Sequence, residues 1–250
     1  DYKEIKDINK IDDYFEISEA GNWENKNILV EKIKPPKATI NELLKIRNKR
    51  KKPFFDHKSQ LDLNCLWISS LIAAHEVLPE RKYLNTAETF FSTIEEKYLK
   101  KTIQHSYSKE SVFLEDYAFL ISALIDLSEN TMNFKYKDYA KKLCIETFSK
   151  FYVDKKDIFQ KNQKNNNDIF FDPIDIGDNT IPNGNAIMLI NLTRLGKMDE
   201  AKKLSISLNG YLNVYKNHMM TAIRALDYFN NVTSGKNCNE KGCAINEKKN

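Results

Sequence analysis

Ser111-Val-Phe-Leu-Glu-Asp-Tyr-Ala-Phe-Leu-Ile-Ser-Ala-Leu-Ile-Asp-Leu-Ser-Glu129 is the stretch whose reading decides the architecture. Leu114, Tyr117, Ala118, Ile121, Leu124 and Ile125 share one helical face, and Leu120, Ala123 and Leu127 widen it beyond a surface stripe. A helix this apolar must pack on more than one side. Glu115 and Asp116 fall in its first turn, where carboxylates suit the positive end of the helix dipole. Neighbouring side chains diverge by about 100° around a helix, so only one of the two can face inward. Asp116 shares its side with Leu120, Ala123 and Leu127 and is expected to face a cavity; Glu115 is expected to cap or to form a salt bridge. For both, stabilising the helix start is the alternative to chemistry.

Working outward, buried and half-exposed helices alternate. Residues 61–78 are apolar nearly all round, and Pro79 is expected to end them. Residues 83–100 follow with a single stripe of Leu84, Ala87, Phe91, Ile94 and Tyr98. The helix at 114–127 is followed by another at 135–152, whose stripe lies opposite Lys137, Lys141 and Lys142. A third pair starts at Asn185 and continues from Asp199 to Tyr211; residues 219–229 look like the inner half of a fourth. The expected fold is all-α: antiparallel helical hairpins forming part of an α/α ring, or toroid, with apolar helices inside. An irregular bundle is the alternative.

In such a ring the inner helices run the same way, so polar residues at their N-terminal ends should meet at one mouth. Three clusters sit there: Asp56-His57-Lys58 with Asp62 and Asn64, then Glu115-Asp116-Tyr117, then Asp178 and Asn179 with Asn183-Gly184-Asn185. Asp56 and Lys58 could orient a hydroxylated ligand or pair as ions between hairpins. Asn183, Gly184 and Asn185 could bind ligand or start the helix. His57 is the best-placed imidazole for proton transfer, whereas His105 and His218 have no visible partner. The segment 154–182 is expected to hold a small β-hairpin, pairing residues 157–159 with 168–171 about an Asn-rich tip. Upstream, a strand is expected at 28–33, and Thr39 is expected to cap a helix that carries a basic run to Pro53.

Composition excludes several classes. With 41% hydrophobic residues, 30% charged and seven Gly, the chain reads as helix-rich and globular. Net charge is only +4, from 39 basic against 35 acidic residues, which gives no case for nucleic acid or an anionic membrane. No apolar run is long enough to span a bilayer, and the polar opening residues do not form a signal peptide, so a cytoplasmic location is expected. The sequence shows no metal-ligand spacing, no Gly-rich phosphate loop and no nucleophile elbow, so neither metal nor cofactor is expected. The expected organisation is an entry segment at 1–37, the partial toroid at 38–230 and a flexible polar tail at 231–250 containing Cys238 and Cys243.

The ordered set Gly21-Asn-Trp-Glu-Asn-Lys-Asn-Ile-Leu29, Asp56-His57-Lys58 with Asn64, Leu114-Glu-Asp-Tyr-Ala-Phe-Leu120 and Asp178-Asn-Thr-Ile-Pro-Asn-Gly-Asn185 resembles the spermatogenesis-associated, thioredoxin-domain-containing proteins. The spaced cysteines Cys238 and Cys243 fit the same pattern. The resemblance implies a six-hairpin toroid similar to that of N-acylglucosamine 2-epimerases and glycosidase-like proteins, preceded by a thioredoxin-like domain. This chain resembles the C-terminal part of that toroid, without the thioredoxin-like domain, and it lacks an initiating Met. It departs from the family at His57, at Leu63 and Cys65 beside Asn64, and at Asn183. The implied function is binding of, or action on, a small sugar-like ligand at the mouth. Asp116, Asp56 and His57 would be catalytic, with Lys58, Asn64, Glu115, Tyr117, Asp178, Asn183, Gly184 and Asn185 holding the ligand. A non-catalytic helical partner for a thioredoxin-like domain is the alternative.

Overall fold

In the computed structural model the apolar periodicities become nine α-helices among the described residues, which are 5, 8, 10–78, 80–100, 102–106, 111–164 and 173–235, with the backbone of 238–239 and 242–243. Contacts divide the chain into two units, Asp1–His57 and Lys58–Asn250.

In the first unit, α1 (Ile11–Tyr14) leads into β1 (Phe15–Glu16), which pairs antiparallel with β2 (Val30–Glu31). The expected strand at 28–33 is thus reduced to two residues. Asn22 stabilises the intervening turn, its amide donating to the carbonyls of Glu16 and Ile28. Helix α2 (Lys37–Lys49) starts from Pro36, whose fixed φ suits a helix entry, and not from Thr39, which lies buried inside the first turn. A small core gathers Ile5, Ile8, Ile11 and Phe15 with Leu43 and Ile46.

The second unit holds the hairpins. Helices α3 (Leu61–Val77), α5 (Leu114–Thr131), α7 (Gly184–Arg194) and α9 (Met220–Thr233) pack in sequence, each against the next. Helices α4 (Lys82–Tyr98), α6 (Phe134–Phe151) and α8 (Met198–Tyr215) pair with α3, α5 and α7. The outer helices bury single stripes: Leu84, Ala87, Phe91, Ile94 and Tyr98 on α4, and Ala140, Leu143, Cys144, Thr147 and Phe151 on α6. Helix α5 buries thirteen of its eighteen residues because α3, α6 and α7 all pack on it. Full burial of a Leu, Ile or Phe stabilises by roughly 1.5–3 kcal/mol, so α5 contributes most per residue to the core. This arc of antiparallel hairpins is the expected partial toroid.

Two polar pins hold α5 to α7. Asn191 Nδ2 donates to the Ala118 carbonyl at 2.8 Å, and Arg194, nearly buried, donates to Asp126 at 2.8 Å and Glu129 at 2.7 Å. Inner faces on α3 and α9 stay open, with Trp67 53% and Ile223 43% exposed.

The hairpin in the long segment forms earlier than expected. Ile158-Phe159 (β4) does form a strand, but its partner is Tyr152-Val153 (β3), directly after α6. Asp157 takes the left-handed conformation that a four-residue reversal needs, and Tyr152 donates to its carboxylate at 2.8 Å. The expected partner strand at 168–171 and residues 165–167 of the Asn-rich tip lie outside the described residues, as does Pro79. Beyond α9, β5 (Cys238–Asn239) pairs antiparallel with β6 (Gly242–Cys243).

Candidate functional site

Short extended segments lace the N-terminal ends of α3, α5 and α7 together. Gln60 bridges to Ser106, and the Leu61 N–H donates to the His105 carbonyl at 2.9 Å. Phe113 bridges to Asn162, the Leu114 N–H donates to the Lys161 carbonyl at 3.0 Å, and the Lys161 N–H donates to that of Pro173 at 2.9 Å. At helix starts, N–H groups have no intrahelical partner, so loops and capping side chains must supply acceptors. The outcome is a cavity of about 290 Å³ lined by Gln60, Asp62, His105, Phe113, Glu115, Lys161, Asp175 and Asn183, with Gly177 and residues 179–182 completing its wall.

Asp116 is fully buried and does not itself line this cavity, lying behind His105. One of its oxygens accepts the Phe113 N–H at 2.9 Å, closing the first turn of α5. His105 Nδ1 lies 2.9 and 3.1 Å from the two carboxylate oxygens. At Nε2 the ring meets the Gln60 side-chain nitrogen at 2.9 Å. An amide nitrogen only donates, so the neutral ring accepts there and presents Nδ1–H to Asp116. The hydrogen bond to Asp116 raises the His105 pKa above its ordinary value, against the opposing effect of burial.

The expected roles of the adjacent carboxylates are therefore exchanged. Asp116 caps the helix and holds His105, while Glu115, only 7% exposed, lines the cavity. Burial pushes the Glu115 carboxyl above its usual range. Gly184 lets it sit there: a Cβ at that position would lie 3.1 Å from Glu115 Oε1 and from two atoms of Leu114. Asp62, 8% exposed, lines the same cavity and accepts the Leu63 N–H at 2.7 Å. Its pKa is raised by burial first and by the nearby Asp116 charge second. Lys161 reaches Asp175 at 3.4 Å across the cavity wall.

Other sequence-derived residues have different work. The Asn183 side chain caps α7, accepting the Ala186 N–H at 3.2 Å and donating to the Asp175 carbonyl at 2.9 Å, and it lines the cavity. Asn185 is fully buried and exchanges two 2.9 Å hydrogen bonds with the backbone of Phe159, fixing β4 to the start of α7. Asp178 accepts the N–H groups of Asn183 at 2.9 Å and Thr221 at 2.7 Å, so it joins α7 to the start of α9. Tyr117 points to α6, donating to Glu146 at 2.7 Å and accepting from Lys150 at 2.7 Å. The Asn64 amide donates to the Gln60 carbonyl at 2.6 Å and to Ser59 at 3.0 Å. Lys58 is exposed and does not line the cavity. Asp56 and His57 belong to the first unit, where the His57 ring packs edge-on to Phe55 at 4.6 Å.

His105 escaped the sequence reading because it lies outside any periodic segment. Its partner Asp116 is eleven residues away, and the bridge from Gln60 to Ser106 sets its position. Asp62, His105 and Asp116 each offer one atom within 4.8 Å of the others, and are the candidate metal-holding set among the described residues. The symmetric approach of Nδ1 to both Asp116 oxygens is that of an N–H donated to a carboxylate.

Solved structures share this fold. A GH76 α-mannanase of Bacteroides thetaiotaomicron is similar with a TM-score of 0.51 and 13% identity, over 68% of this chain and 53% of that one. The chain's fold is that of the α/α toroid. The GH76A α-1,6-mannanase of Salegentibacter sp. HEL1_6 is similar with a TM-score of 0.50 and 12% identity, over 69% and 53% of the two chains. An inactive variant of that enzyme with two neighbouring aspartates changed to asparagine, in complex with α-1,6-mannotriose, gives 0.51 and 11% over 68% and 53%. The toroid chain described here spans about half the length of these structures. No family model matches the sequence, and no curated protein is similar to it. No helix among the described residues is long and apolar enough to cross a membrane.

Proposed function

We propose that the cavity at the N-terminal ends of α3, α5 and α7 is a carbohydrate site, and that the protein binds or transforms a sugar in the manner of an epimerase or glycosidase. One observation carries this reading: an imidazole oriented by a fully buried carboxylate shares a polar cavity with two carboxyl groups whose pKa values burial raises. A carboxyl held protonated can donate to a leaving or carbonyl oxygen, and an imidazole can take a proton at Nε2 once the hydrogen bond from Gln60 gives way to the ligand. Glu115 is the proposed acid and His105 the proposed base. Asp116 positions His105 and stabilises the imidazolium that proton transfer creates. Asp62 and Asn183 are placed to hydrogen-bond hydroxyl groups. The neighbouring aspartates exchanged in the inactive mannanase variant support a role for neighbouring carboxylates, here Glu115 and Asp116.

The family resemblance adds finer proposals: the chain is the C-terminal toroid portion of a cytoplasmic, thioredoxin-domain-containing protein, and Asp56, His57 and Lys58 also contact ligand. Binding and turnover of mannose, glucose and mannotriose, measured on wild type and on Glu115→Gln, His105→Gln and Asp56→Asn, test the site. Unchanged responses in the first two variants would sink it. The coding sequence upstream of Asp1 tests the domain assignment, which fails if no thioredoxin-like segment is encoded there.

A second reading, a non-catalytic partner for a thioredoxin-like domain, is favoured by one feature. The pairing of β5 with β6 sets Cys238 directly opposite Cys243. Mixed-disulfide partners trapped on the full-length protein, independent of Glu115 and His105, would support it.

A further inference from the structure

Charge balance inside the cavity separates its groups into satisfied and unsatisfied pairs. His105 is matched by Asp116, and Lys161 by Asp175. Asp62 and Glu115 are left over. Each is more than nine-tenths buried and each lines the cavity. Among the described residues no side chain donates a hydrogen bond to either; Asp62 takes the N–H of Leu63, and the backbone N–H groups of Asp62 and Glu115 favour their own carboxylates. Lys161 and His105 act on them only through the field, with no ion-pair contact to either among the described residues, and a carboxylate taken out of water with no such contact is costly.

Building on the carbohydrate reading, but with Glu115 anchoring the ligand in place of acting as its acid, we infer that the ligand of this cavity carries a positive charge, as a protonated amino group seated against Glu115 and Asp62: an amino sugar and not a neutral or phosphorylated one. An ammonium supplies three donors to two carboxylates that take none from any side chain among the described residues, and charge-assisted hydrogen bonds are about twice as strong as neutral ones. A phosphate or carboxylate on the ligand meets the same two groups as a like charge, which excludes it. Lys161 cannot reverse that preference while it is paired with Asp175.

The test is calorimetric titration of the intact chain near neutral pH with mannosamine, mannose, mannose 6-phosphate and methylammonium. The expected order is mannosamine at least about tenfold tighter than mannose, with mannose 6-phosphate weakest. Glu115→Gln should flatten the order; Asp62→Asn provides the same comparison if the first variant fails to fold. Sugars binding without regard to charge, or an order that persists in both variants, would overturn this inference and leave the carbohydrate reading standing. Methylammonium binding without any sugar would overturn the carbohydrate reading and keep the charge inference. Binding of none of the four overturns both, as does displacement of all of them by a divalent metal held on Asp62, His105 and Asp116.

Discussion

Replacing Glu115 by Gln should make the unliganded protein more stable at neutral pH, although it removes a carboxylate from the first turn of a helix. Two effects oppose each other. The helix dipole favours the carboxylate by about 0.3–1 kcal/mol. Against it stands a charge that is 7% exposed and accepts no side-chain hydrogen bond among the described residues, and leaving such a group unsatisfied costs about 1–3 kcal/mol. Burial is the largest cause of its raised pKa, and the Lys161 charge is a smaller, opposing one. The net gain is about 1 kcal/mol, or about 2–4 °C in melting temperature for a unit of this size. The pH dependence has a definite sign. A carboxyl whose folded pKa is raised favours the fold when protonated, so wild type keeps full stability below the unfolded value of about 4.3 and loses it as pH rises through the folded value. Urea melts of both proteins should converge in acid, and the variant should lead at neutral pH. A wild type as stable as the variant at neutral pH, or a gap unchanged by pH, would show that Glu115 has an ionic partner and refute the reasoning.

Asp116→Asn keeps an acceptor for the Phe113 N–H but removes the charge beside His105, so the His105 pKa read by proton NMR should fall from its raised value. The stability that His105 gains from Asp116 is present below the ordinary imidazole pKa and disappears as pH rises through the folded value, so the variant should lose this pH dependence. Gly184→Ala places a Cβ 3.1 Å from Glu115 and Leu114; overpacking of about 1–3 kcal/mol should outweigh the helix preference of about 1 kcal/mol for Ala, and urea melts should show net destabilisation. Arg194→Met leaves the mostly buried Asp126 uncompensated and should cost about 3 kcal/mol in the same assay, while Glu129→Gln, on the half-exposed partner, should cost less than about 1 kcal/mol.

The helices were legible because their burial follows sequence period. The stripe Leu84, Ala87, Phe91, Ile94 and Tyr98 is buried as its spacing requires, and α5 is buried on nearly all sides because its residues are apolar on nearly all sides. Legibility ended where long-range pairing begins. Ile158-Phe159 carries a strand signal, but a strand signal does not name its partner, and the nearer one, at Tyr152-Val153, requires the shorter loop closure. Thr39 has the residue type of a cap, yet Pro36 starts the helix three residues earlier.

The exchange of Glu115 and Asp116 has a different cause. Angular position around a helix distinguishes inside from outside only when one side faces water, and α5 has no such side over its first two turns. The cavity lies at the end of the helix, not along its flank, so direction along the axis decides. Asp116 is the third residue of α5, from which a short side chain reaches back to the free N–H of Phe113. That hydrogen bond commits Asp116 to the helix start, where the segment bridged to Gln60 delivers His105 to it. Glu115, second in the helix and one methylene longer, can only extend past the end, into the space that Gly184 leaves open on the neighbouring helix. The arrangement at the mouth therefore rests on which carboxylate the helix start takes for itself and which it leaves facing the cavity.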